Sequence, residues 1–159
     1  MQALDAKDLV YSDESGIDHR IMKTHGWSRI GKLIKDDTYG ARKGRTSVIA
    51  ALCNGQIIAP FRFQGHCNKN VFFAYISEVL IPVLQKGQTL IIDNASFHKS
   101  NEIKQKIEEA GCNLLFLPPY SPDFNPIEHY WSKLKKLIRK LIPEFDNISD
   151  AIDAALITI

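Results

Sequence analysis

Three acidic residues stand where the sequence passes from one kind of element to another. Asp93 ends the β-favouring run Thr89 to Ile92, Asp13 follows the short apolar run Leu9 to Ser12, and Glu128 falls in the first turn of an amphipathic helical stretch. A strand that ends in a carboxylate delivers it to the rim of a sheet, where open α/β folds place their ligands. Three carboxylates meeting at one rim would repel one another, and their pKa values would rise unless cations neutralised them. Ligands that are all oxygen favour Mg²⁺ or Mn²⁺ over zinc. Two such ions, roughly 3.5–4 Å apart, would clamp the attacking and leaving oxygens of an in-line phosphoryl displacement. Asp13, on what would be the central strand, is the candidate to bridge both ions. A plainer reading exists, because Asp93-Asn94 after a strand is also a common way to begin a turn or cap a helix.

The surrounding elements bear on that choice. Leu9 to Ser12 leads into Asp13-Glu14-Ser15-Gly16, a strand followed by a turn. From Asp18 to Gly44 no periodicity is sustained, and Trp27 and basic residues interleave with glycines, which reads as a long loop or arm. Thr46 to Cys53 and Gln56 to Gln64 flank Asn54-Gly55, the strongest short hairpin signal, and Pro60 marks the second strand as edge or bulged. Asn68 can cap a helix from Lys69 to Leu84, on which Val71, Phe72, Tyr75, Ile76, Val79 and Leu80 recur at helical spacing; Pro82 shortens or kinks its end. After the strand Gln88 to Asp93, Ser100 or Asn101 starts a helix that Gly111 stops, and Cys112 to Leu117 reads as another buried strand. The prolines between Pro118 and Pro126 exclude helix there. Asn125 then caps a helix with Pro126 at its first position, running from about Ile127 to Leu141 and ended by Pro143. Asn147 introduces a last short helix, Ala151 to Leu156. The order predicts one α/β domain: a five-stranded mixed sheet, three strands antiparallel and two added parallel, with helices on both faces. Such an order resembles the ribonuclease H-like fold.

Composition narrows the class. With 45% hydrophobic and 24% charged residues in 159, the chain can bury a core, and no apolar run approaches a membrane span. The mixed, acidic N-terminus is unlike a signal peptide, so a cytoplasmic protein is the default. Three cysteines without a Cys-x-x-Cys pair support neither a disulfide framework nor a zinc ribbon. Cys53 and Cys112 read as core residues, and His66-Cys67 lacks a partner pair at metal-binding spacing. Charge is unevenly spread: residues 19–45 carry net +6 and 129–143 net +5, against −4 in residues 1–18 and −4 from Glu144 onward. Two basic blocks in a near-neutral chain point towards a polyanion partner, although solvated faces are the commoner fate of lysines.

Two long motifs carry a family resemblance. Leu90-Ile91-Ile92-Asp93-Asn94-Ala95-Ser96-Phe97-His98-Lys99-Ser100 and the segment from Leu117 through Asn125-Pro126-Ile127-Glu128 to Trp131 and Lys135 resemble the catalytic core of the DDE transposases, in the bacterial insertion-sequence branch of the mariner-like superfamily. The 34 residues between Asp93 and Glu128 fit that branch. Asp13-Glu14-Ser15-Gly16 matches the first family aspartate, and Gly26-Trp27 with Gly31, and Gly65-His66-Cys67-Asn68, also have counterparts. The resemblance implies that Asp13, Asp93 and Glu128 form a metal-binding catalytic triad. It further implies hydrolysis of phosphodiesters at transposon ends, then attack of the freed 3′-hydroxyl on target DNA, as in DNA transposition, recombination and integration. Related enzymes work as homodimers on paired ends. Full-length relatives also begin with helix-turn-helix domains, and nothing before Asp13 is long enough to hold one. The resemblance therefore leaves open a frameshift partner of an upstream helix-turn-helix polypeptide, a remnant, or a fragment, acting at the bacterial nucleoid.

Other residues are assigned supporting roles. Asn94 would tether a metal-bound water or cap the turn, His98 would approach the scissile phosphate or orient its loop, and Asn125 would set the helix start that aims Glu128. Glu128, Ser132, Lys135, Lys136 and Arg139 fall broadly on one side of their helix, while Trp131, Leu134 and Ile138 face the core. Lys135, Lys136 and Arg139 are candidate contacts to DNA phosphates, as are Trp27, Arg29 and Lys32 in the arm. Two other readings stand beside the transposase one: a ribonuclease H-like nuclease on hybrids or junctions, and an inactive DNA-binding remnant.

Overall fold

The computed structural model describes residues 5–18, 44–119 and 122–159. Trp27, Arg29 and Lys32, and with them most of the basic arm, lie outside the described residues. Among those described, five strands form one sheet in the order β3-β2-β1-β4-β5, with β1 at Leu9–Asp18, β2 at Arg45–Cys53, β3 at Gln56–Gln64, β4 at Thr89–Ile92 and β5 at Asn113–Phe116. β1, β2 and β3 are antiparallel, and β4 and β5 add parallel to β1.

Asn54 and Gly55 turn the β2–β3 hairpin with φ of 49° and 76°, the two positive values that a tight twisted turn requires. On β3 an extra residue is accommodated opposite Ala50, where Ala59 also adopts a positive φ of 51° beside Pro60. A bulge on an edge strand is where a residue without an N–H does least harm.

The first strand is longer than its sequence indicates. Asp13 does not end β1; the strand continues to Asp18 and pairs with β2 from Val10 opposite Cys53 to Asp18 opposite Arg45. Ser15-Gly16 reads locally as a turn, but a complete antiparallel partner overrides local preference. At Gly16 the Arg45 guanidinium lies against the backbone, so that an added Cβ would stand 2.2 Å from its Cζ. Arg45 thereby reaches Glu14 at 3.4 Å and the Ser47 hydroxyl at 3.3 Å. The strand β5 is likewise not fully buried: as the sheet's edge it leaves Leu115 half exposed.

Alternation along the strands divides the core between two faces. Val10, Ile49, Ala51, Leu90 and Ile92 pack beneath Phe72, Tyr75, Ile76, Leu80, Ile103 and Ile107, the apolar sides of helices α1 (Lys69–Ala74) with its continuation and α2 (Asn101–Glu109). Ile17, Val48 and Ala50 pack on the other face under α3 (Ile127–Leu141) and α4 (Ile148–Thr158), through Ile127, Tyr130, Trp131, Leu134, Ile138, Ala151, Ile152 and Ala155. Asn68, Ser100 and Asn147 cap α1, α2 and α4, each accepting a backbone N–H three residues on. The stretch after α1 widens into a π-helical turn over Tyr75–Leu80 and ends in a 3-10 turn at Ile81–Val83. Pro82 accounts for this, since its ring excludes the carbonyl four residues back and it offers no N–H. Arg62 on β3 makes two hydrogen bonds to Asp153 on α4, of 2.7 and 2.9 Å, which fasten the last helix to the outer strands.

Leu134 is fully buried under β1 and β2, so Leu134→Ala should lower the unfolding free energy by about 2–5 kcal/mol. Leu115→Ala, at the half-exposed edge, should change it by less than about 1 kcal/mol in the same urea titration.

Candidate active site

β1 and β4 run parallel, with Tyr11 opposite Ile91. Two residues further along each strand come Asp13 and Asp93, which are therefore level with one another at the point where β4 stops. Asp13 shares the face of β1 that carries Ile17 and looks towards α3. Glu128 is the second residue of α3, and its charge reaches Asp13 from above that face, as the charge of Asp93 reaches it from β4. The three acids expected from the sequence are thus brought to one rim.

Their environments differ. Burial pushes the Asp13 carboxyl up to about 7, and the negative charges of Glu128 and Asp93 push in the same direction. Two donors oppose this rise: the backbone N–H of Glu14, and the indole Nε1 of Trp131, which donates to Asp13 Oδ2 at 3.2 Å. Asp93 is about half exposed and is held below the usual carboxylate range, chiefly by the His98 imidazole. Its Oδ1 meets His98 Nδ1 and also accepts the Ala95 backbone N–H at 3.1 Å. Glu128 is exposed in the first turn of α3, where the helix dipole favours an anion.

Each supporting residue can now be placed. His98 is buried, with its ring centroid 4.0 Å from that of Phe72, so it orients Asp93 from inside the protein. Asn125 does not cap α3 with its side chain, contrary to expectation; Pro126 occupies the cap position, and the Asn125 carbonyl accepts the Glu128 N–H at 3.1 Å. The Asn125 side chain is buried, and among the described residues its Oδ1 has no hydrogen-bond partner. Asn94 is half-buried beside Asp93. On α3, Lys136 and Arg139 are exposed and Lys135 is half-buried. At 1.5 Å per residue, Lys136 and Arg139 lie about 12 and about 17 Å along the helix from Glu128. Cys67 lies near Glu14 and Asp93, and burial pushes its thiol up to about 12. Without a metal ion beside it, a thiol so reluctant to ionise is a poor nucleophile.

Trp131 is the residue whose role the sequence concealed. Its spacing with Leu134 and Ile138 correctly marks it as core, and it is buried. A buried indole N–H needs an acceptor, however, and that requirement was the available signal.

Among the described residues, no three His, Cys, Asp or Glu side chains close around one point tightly enough to enclose a metal ion. The donor set nevertheless suits a hard divalent cation. It offers only carboxylate oxygens, and the buried member already has a pKa raised by burial and then by the negative charges of Glu128 and Asp93.

Two outcomes follow from these environments. The raised Asp13 pKa means that the folded, metal-free protein holds a proton which the unfolded chain sheds near 3.8. This contribution to stability is complete below 3.8 and is lost as pH rises towards about 7. In chelator, the wild type should therefore lose more thermal stability between pH 5 and pH 8 than Asp13→Asn; equal slopes would contradict the assignment. His98→Phe keeps the ring against Phe72 but removes the contact to Asp93. It should weaken divalent-ion binding, measured by calorimetry, about 10–100-fold without unfolding the protein.

Comparison with known proteins places this geometry. The chain is 34% identical over 70 residues to the Tc3 transposase of Caenorhabditis elegans, covering 44% of this chain and 21% of that protein. It is 40% identical over 47 residues to the Tcb2 transposase of Caenorhabditis briggsae, covering 30% and 17%. It is also 33% identical over 61 residues to the uncharacterized protein y4pE/y4sA of Sinorhizobium fredii, covering 37% and 43%. These matches span less than half of each relative's own length. Among solved structures, the simian T-cell lymphotropic virus intasome has a TM-score of 0.70 at 13% identity, covering 100% of this chain and 50% of that one. The catalytic core domain of BIV integrase has a TM-score of 0.60 at 14% identity, covering 96% and 82%. At such identities the likeness is one of fold, and the fold is ribonuclease H-like. A family profile running from residue 8, just before the strand that carries Asp13, to residue 150, well beyond Glu128, supplies the rest: the chain belongs to the DDE superfamily endonucleases.

Proposed function

We propose that this chain is a transposase catalytic domain that cleaves DNA strands at transposon ends and joins the freed 3′-hydroxyl to target DNA. The observation that carries the reading is the meeting of Asp13, Asp93 and Glu128 at one rim, with the charges of Glu128 and Asp93 both raising the Asp13 pKa. Such a cluster is stable in its ionised form only against positive charge. The three carboxylates would hold two Mg²⁺ or Mn²⁺ ions, which when bound polarise the phosphodiester and activate the attacking oxygen.

The protein's own residues act by positioning. Trp131 and the Glu14 N–H orient Asp13, His98 orients Asp93, and the start of α3 aims Glu128. Lys136 and Arg139 lie too far along α3 to reach the reacting phosphate, so they grip phosphates further along the duplex and fix its register. No side chain in this arrangement needs to form a covalent intermediate with DNA; catalysis rests on orientation and electrostatics.

Assembly as a homodimer on paired ends agrees with the likeness in fold to an intasome chain. Recognition of the terminal repeats would come from a helix-turn-helix polypeptide, and the setting would be a bacterial insertion sequence acting at the nucleoid. Among the described residues no helix is long and apolar enough to cross a membrane.

The test is Mn²⁺-dependent nicking of supercoiled and end-containing DNA. Asp13→Ala, Asp93→Ala and Glu128→Ala should each reduce it by more than the roughly 10–100-fold expected for loss of an outer-shell partner. Folded, metal-loaded protein that nicks neither DNA, alone or with a helix-turn-helix partner, would leave a DNA-binding remnant as the remaining reading.

A further inference from the structure

Trp131 and Glu128 stand three residues apart on α3 and so lie on neighbouring positions of one helical turn. One of them is an acid of the rim. The other donates its indole N–H to a different acid, Asp13, 118 residues away in sequence, at 3.2 Å. A phenylalanine would fill the same apolar space between α3 and the sheet, and a buried indole is stable there only because the carboxylate accepts its N–H. Trp131 is also in contact with Tyr130, whose ring meets it edge-on with centroids 5.3 Å apart. The indole therefore has little freedom, and neither has the oxygen it binds.

We propose that Trp131 is the positioning residue of this site: by holding Oδ2 of Asp13 it fixes the orientation in which that carboxylate meets a divalent ion, and ties that orientation to the position of Glu128. The inference rests on the metal-dependent reading given above. A free carboxylate must lose its torsional freedom when it ligates an ion, whereas one already anchored by a rigid donor does not. Because the anchor and Glu128 ride on the same helix, any displacement of α3 moves Glu128 and the donor to Asp13 together. Their mutual spacing is thus set by a rigid element and not by loop geometry.

The experiment replaces the N–H while leaving the packing. Trp131→Phe is the simple variant. Replacement of Trp131 by 3-benzothienylalanine, which keeps both fused rings and puts sulfur in place of the N–H, is the isosteric one. Binding of Mn²⁺ to the full chain is measured by calorimetry without DNA, alongside metal-free melting temperature. The expected result is Mn²⁺ affinity weakened about 10–100-fold in both variants, with the melting temperature of the isosteric variant close to that of wild type. Nicking by the isosteric variant should recover at high Mn²⁺, since only the affinity for the ion has been lost. A benzothienyl variant that binds Mn²⁺ as tightly as wild type overturns the inference and leaves the metal-dependent reading intact. Wild type that binds no Mn²⁺ overturns both.

Discussion

A carboxylate in the middle of a central strand, facing a packed helix, is the constraint to which the rest of this structure answers. Asp13 has Ala50 opposite it on β2 and the apolar side of α3 above it, and burial is the largest influence on its pKa. Taking an ionised carboxylate out of water is expensive, and here nothing positively charged among the described residues repays it. The Glu14 N–H and Trp131 indole offset part of the penalty; Asp93 and Glu128 add to it. The metal-free site is consequently less stable than an apolar core of the same shape would be. A local loss of stability of this kind is typical of sites built to receive charge.

The remaining acids avoid that penalty by standing further out. Asp93 comes immediately after β4 ends, so register with β1 brings it level with Asp13 while its side chain stays half exposed. His98, returning from the 3-10 turn at Ser96–Lys99, reaches it from the protein interior and holds it ionised. Glu128 is exposed and gains from a helix N-terminus. One rim thus contains a carboxylate held above its ordinary pKa and another held below it, and the difference is set by depth and by which donor each one faces.

How much of this could be read from the sequence follows from the range of the forces involved. The hairpin at Asn54-Gly55, the caps at Asn68, Ser100 and Asn147, and the helix boundaries at Gly111 and Pro143 are written in local chemistry and were legible. The sheet's composition followed from counting strands, and the three acids from their place at element ends and their likeness to a family. What could not be read depended on partners distant in sequence. β1 extends to Asp18 because β2 pairs with it, against a local Ser15-Gly16 turn signal. β5 is partly exposed because, among the described residues, it is the edge strand of the sheet. Trp131 shows the limit most clearly: helical periodicity identifies a core position, but only the fold reveals that a carboxylate from another element lies within reach of the N–H.

The helix α3 is where these separate requirements become one. Its apolar side, Ile127, Tyr130, Trp131, Leu134 and Ile138, seats it on the sheet along almost its whole length. A helix anchored at so many points cannot pivot at its N-terminus without disturbing the core at its far end. Because Glu128 lies at that N-terminus and Lys136 and Arg139 follow on the exposed side, the distance from the acidic rim to these basic side chains is fixed by helix geometry. In the proposed transposase reading, a phosphate backbone held at Lys136 and Arg139 would lie at a set distance from the acids before any reaction begins. Positioning of this kind is what a site with no covalent chemistry of its own must supply, and here it comes from the packing of a single helix.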